Sequence, residues 1–71
     1  MNEAQFANER RAFRARAALN RYKRDQLHED GPVCDDTVVD FLTDLFHYNN
    51  DRGDLQSALD TARMHYDAEK V

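Results

Sequence analysis

His28, Cys34, His47 and His65 are the side chains of this 71-residue chain that could ligate a borderline metal or supply a nucleophile and its base. A zinc centre needs about four such ligands at workable spacing, and here neither C-x-x-C nor H-x-x-x-H occurs. These residues therefore read as solvated or half-buried histidines and a small thiol, not a metal site. Fourteen carboxylates are present, but they lie along helix faces with no glycine-rich loop to shape a pocket, so acid–base chemistry has no evident seat. The sequence predicts a protein that is not an enzyme and has no cofactor.

Two charged constellations point to binding instead. Residues 10 to 24, RRAFRARAALNRYKR, carry seven basic side chains and no acid, with Phe13 and Tyr22 between them. Arg10, Arg14 and Arg21 fall on one side of a helix, followed by Arg24, as phosphate contacts do when they track a nucleic-acid backbone. The same residues suit the C-terminal half of a helix or pairing with an acidic neighbour inside the fold, and these alternatives stay open. The mirror case is Asp36, Asp40 and Asp44, one turn apart and joined by Asp51, a negative ridge that can meet a basic protein surface or remain a solvated face. Residues 1 to 27 balance at +4 and residues 28 to 71 at −8, so the two halves can fold against each other or present surfaces of opposite sign.

Three helices must position these groups. Gly31-Pro32 and Gly53 break the pattern, strand signals are absent, and the spacing predicts helices over about 3–27, 36–50 and 55–70. In the middle segment Val38, Val39, Phe41, Leu42, Leu45, Phe46 and Tyr48 fill one half of the wheel, which predicts that this helix supplies the heart of the core. Asp35 and Asp36 stand where an N-cap and first-turn acid belong. In the third segment Asp54 stands at the N-cap position, followed by the stripe Leu55, Ala58, Leu59, Ala62 and Tyr66, while Met64 falls opposite. The short polar connection predicts an antiparallel αα-hairpin of the second and third helices. The first helix splits its apolar residues: Phe6, Phe13 and Ala17 share one face, and Ala4, Ala12, Ala15, Leu19 and Tyr22 share the other. Either one face covers the hairpin and leaves the other for a partner, or the helix lies in a groove and buries both. The fold class expected is all-α, a three-helix domain with a long basic first helix packed on the hairpin.

At this length one modest core is the limit, and self-association or a partner could supply missing burial. The chain opens Met1-Asn2-Glu3 without a basic-then-apolar leader and has no long apolar run, which predicts neither secretion nor a membrane span. One cysteine cannot close an internal disulfide, which fits a cytoplasmic location.

Residues 35 to 69, with the aromatic-ended LTDLFHY and the closing ALDTARMHY, resemble the helical hairpin of small orphan proteins encoded by prophages and conjugative elements. The resemblance covers about half the chain and carries no functional residue across. It implies a mobile-element protein acting in the host cytosol as a protein-binding inhibitor of defence, of the anti-CRISPR or anti-restriction kind. The basic first helix departs from a purely acidic nucleic-acid mimic. A host protein is thus the leading partner, with Asp36, Asp40, Asp44 and Asp51 as its binding surface. A nucleic-acid-binding accessory using Arg10, Arg14, Arg21 and Arg24, and an oligomerising module that forms a homodimer, are the rivals.

Overall fold

A computed structural model describes residues 2–50 and 53–71. Three helices follow in order, α1 (Glu3–Asp25), α2 (Asp35–Asn49) and α3 (Leu55–Glu69), with α1 packed on the antiparallel α2/α3 hairpin. The chain is all-α, as the periodicity requires.

Each helix start is fixed by local chemistry. Asn2 caps α1: its side-chain oxygen accepts the Gln5 N–H at 2.8 Å, and the Gln5 side chain accepts the Asn2 N–H at 3.0 Å. This reciprocal box satisfies two amides that a helix start leaves without partners. Replacing Asn2 by Ala should cost about 1 kcal/mol of stability, read as a lower denaturant midpoint with an unchanged slope. At α2 the N-cap is Cys34, one residue earlier than expected, so Asp35 and Asp36 both lie in the first turn, where their charge meets the positive end of the helix dipole. Thr37 closes this start, accepting the Cys34 N–H on its hydroxyl at 3.3 Å. Asp54 caps α3 through Ser57, whose N–H and hydroxyl it accepts at 3.3 and 3.1 Å.

Helix α1 stops at Asp25, before the Gly31-Pro32 break. The N–H groups of Leu27 and Glu29 turn back to the carbonyls of Tyr22 and Lys23, and His28 adopts the left-handed backbone at φ 55°. Such a residue reverses the chain at a helix end, usually as glycine. Lys23 then ties the connection down by donating to the Pro32 carbonyl at 2.8 Å.

The expected core is the main correction. Thr37, 2% exposed, is the only buried side chain among the described residues, and no large apolar side chain is fully enclosed. Of the α2 half-wheel, Leu42 and Leu45 are half-buried, whereas Val39 at 58% and Phe46 at 52% are open to solvent, with Val38, Phe41 and Tyr48 also exposed. Leu55 and Leu59 of α3 are half-buried. Tyr22 of α1 sets its ring edge-on to Phe41 with centroids 5.0 Å apart, and its hydroxyl donates to Asp44. At the other end of α1, Asn8 donates to the Glu69 carbonyl at 2.8 Å and Arg11 pairs with the Glu69 carboxylate at 3.3 Å.

These contacts decide between the two faces of α1. The side carrying Asn8, Arg11, Leu19 and Tyr22 covers the hairpin. Phe6 at 57% and Phe13 at 72% exposure are left outside, so the helix does not bury both faces. The radius of gyration is 14.1 Å, against about 11 Å for a compact domain of this length. The accessible surface of 6088 Å² exceeds by about 1,500 Å² the roughly 4,600 Å² of a compact monomer of this mass. Three helices held at their seams leave apolar area that no part of the described chain covers.

Candidate functional site

The start of α2 and the connection before it build one open cleft. Asp36 and Asp40 contribute from successive turns of α2, and the turn at His28 brings Glu29 and Asp30 to the same cleft, with Lys23, Cys34 and Val39 beside them. Four carboxylates and one cation thus line the same open cleft, and Lys23 also donates to the Pro32 carbonyl. With four acids against one base, the fixed charges give this surface a net negative potential. Glu29 and Asp30 were missed by helical spacing because they lie in a connection. The run H-E-D-G-P just before D-D was their signal, since a reversal there must return acids next to acids.

Asp44 behaves differently from its neighbours on the ridge. It accepts the Tyr22 hydroxyl and so belongs to the seam between α1 and α2. That bond, then burial at the seam and then the nearby negative charges push the Tyr22 phenol up to about 12. Asp51 lies outside the described residues.

The arginines of α1 divide in the same way. Arg21 and Arg24 both reach Asp25, at 3.4 and 2.9 Å, and Arg24 together with Arg21 holds that carboxyl below the usual range. Arg10 lies over the Phe6 ring at 6.0 Å, a cation–π placement on the open side of α1. Arg14 shares a shallow surface groove with Phe6, Arg10 and Phe13. Among the described residues no α1 arginine pairs with Asp36, Asp40 or Asp44, and Arg11 to Glu69 is the ion pair that joins α1 to the hairpin. Among the described residues, Lys23 is the cation of α1 that shares the cleft with Asp36 and Asp40.

Cys34 is exposed at the mouth of the cleft. Hydrogen bonding from Thr37, aided by Lys23, holds its thiol below the ordinary value. His28, Cys34, His47 and His65 are not gathered: among the described residues no group of three His, Cys, Asp or Glu side chains is placed to hold a metal. No described helix is long and apolar enough to cross a membrane.

Comparison with protein-family models, with curated proteins and with solved structures finds no match to this chain.

Proposed function

We propose that this chain is a small protein-binding module whose acidic cleft receives a basic surface of a protein partner. The observation that carries the reading is the convergence of Glu29, Asp30, Asp36 and Asp40 on one open cleft that, among the described residues, no arginine lines. Carboxylates gathered on a helix start and its anchored connection speed encounter with a basic surface and disfavour an acidic one. With the resemblance of residues 35 to 69 to mobile-element proteins, the reading extends to a host protein as partner and to inhibition of a defence system by occupying its surface. Val39 at the rim adds an apolar contact beside the charges.

The test uses Glu29→Lys/Asp40→Lys, which reverses the cleft without touching Asp44 or the first turn of α2. Immobilised wild-type chain should retain a basic partner from host lysate, and the variant should lose it. With the purified pair, the association rate should fall about tenfold or more in the variant and in high salt. Equal capture and equal rates, with both proteins helical by circular dichroism, would sink the reading. The nucleic-acid alternative makes a different demand: tight duplex binding whose salt slope flattens on Arg10→Gln/Arg14→Gln. Pairing of Arg21 and Arg24 with Asp25 weighs against it.

A further inference from the structure

We infer that the first basic surface taken by the cleft is α1 of a second copy of this chain, and that the protein is a homodimer in which the Phe6/Phe13 stripe of each protomer covers the Val39/Phe46 stripe of the other. The inference rests on the cleft being a receptor for a basic protein surface and names its occupant.

Area is the first argument. Each chain exposes about 1,500 Å² more than a compact monomer of its mass. Two chains that bury this excess against each other remove about 3,000 Å² in total, which lies within the range of obligate homodimers and above the roughly 1,600 Å² of a standard complex. A second copy therefore supplies the amount of surface that is missing.

Shape and charge supply the others. Phe6 and Phe13 stand seven residues apart on the open side of α1, and Val39 and Phe46 stand seven apart on α2. Both pairs are two helical turns long, about 10.5 Å, so rings on one can seat along the other. Arg10 and Arg14 flank the first stripe. Asp36 and Asp40 flank the second at Val39, with Glu29 across the cleft. The Phe6/Phe13 stripe is bordered by Arg10 and Arg14 on one edge, with Glu9 on the other, and the Val39 end of the stripe it would meet is bordered by Asp36 and Asp40. An α1-to-α1 pairing would instead bring arginines together.

A two-fold dimer uses this contact twice, α1 on the partner's α2 and the reverse, as isologous interfaces do. Charge reversal on one side should then be repaired by reversal on the other. Sedimentation of the full chain at about 50 μM should give twice the 8.3 kDa monomer mass, with a melting temperature that rises with protein concentration. Phe13→Glu, at a side chain outside the packing of the protomer, should sediment as a helical monomer. Arg10→Glu/Arg14→Glu and Glu29→Lys/Asp40→Lys should each be monomeric alone, with self-association weakened about 100-fold or more, and should form a heterodimer when mixed.

A wild-type monomer at that concentration overturns the inference. If its cleft still captures a host protein in a manner lost in Glu29→Lys/Asp40→Lys, the receptor reading survives without a second copy. A Glu29→Lys/Asp40→Lys variant that dimerises like wild type overturns the α1-to-α2 pairing in favour of α1-to-α1. Failure of the two variants to combine, with each helical on its own, overturns it as well.

Discussion

Leu45→Asp should abolish cooperative unfolding. Leu45 is half-buried on the side of α2 that also carries the half-buried Leu42, and α3 offers Leu55 and Leu59 for the hairpin contact. A carboxylate there has no cation among these neighbours, and moving it into an apolar seam costs about 3 kcal/mol or more unless the seam opens to admit water. The single chain has little margin to absorb that. It hides about half of the surface that its extended chain would expose, against about 60% for compact domains near this size, and small domains rarely hold more than about 5 kcal/mol. The expected outcome is a broad, non-cooperative melt with reduced helicity, because isolated helices of 15 residues are marginal in water. Phe46→Asp is the contrast within the same half-wheel. Phe46 is open in the single chain, so its substitution should leave the three helices formed. A Leu45→Asp variant that melts like its parent would show that the α2/α3 seam does not hold the hairpin.

That contrast marks how far the sequence could be read. A half-wheel of seven apolar residues in α2 correctly signals an amphipathic helix and which side is apolar. It cannot state how much of that side a neighbour covers, because coverage depends on the width and placement of α1 and α3. Of the α3 stripe only Leu55 and Leu59 are half-buried, as are Leu42 and Leu45 of α2, whereas Ala58, Ala62 and Tyr66 stay exposed and Val39 and Phe46 are left open. In α1 the two apolar faces were visible from spacing, but the choice between them waited on tertiary bonds made by Asn8, Arg11 and Tyr22.

The site was legible in part for the same reason. Asp36 and Asp40 follow from helical spacing. Asp44, equally spaced, is drawn into the seam by a tyrosine 22 residues away, which no local rule anticipates. Glu29 and Asp30 reach the cleft through the left-handed turn at His28 and the Lys23 bond to Pro32. A histidine in that conformation is uncommon, so the sequence offered Gly31 as the more obvious place for the chain to reverse.

The Tyr22 to Asp44 bond makes the seam sensitive to alkali. The phenol is pushed from 10.0 up to about 12, first because Asp44 accepts a hydrogen bond from its hydroxyl, then through burial at the seam, then through the negative charges of Asp44, Asp40 and Glu29. A raised folded-state value means that the fold favours the protonated phenol. Its contribution to stability is fully present below pH 10, declines as pH rises above the unfolded value, and is gone above pH 12, where both states are ionised. Subtracting the ultraviolet titration of Tyr22→Phe from that of wild type should isolate a phenolate that forms with a midpoint near 12. The denaturant midpoint of wild type should fall between pH 10 and 12 more steeply than that of Tyr22→Phe, which has no proton to lose at this position. Asp44→Asn keeps an acceptor but removes the charge that opposes ionisation, so it should bring the Tyr22 midpoint back toward 10.0 while leaving the cleft carboxylates in place. A difference titration centred at 10 in wild type would mean that Asp44 is not bound to Tyr22 in solution. The ridge would then run unbroken from Asp36 through Asp44, and the receptor surface would be longer by one turn.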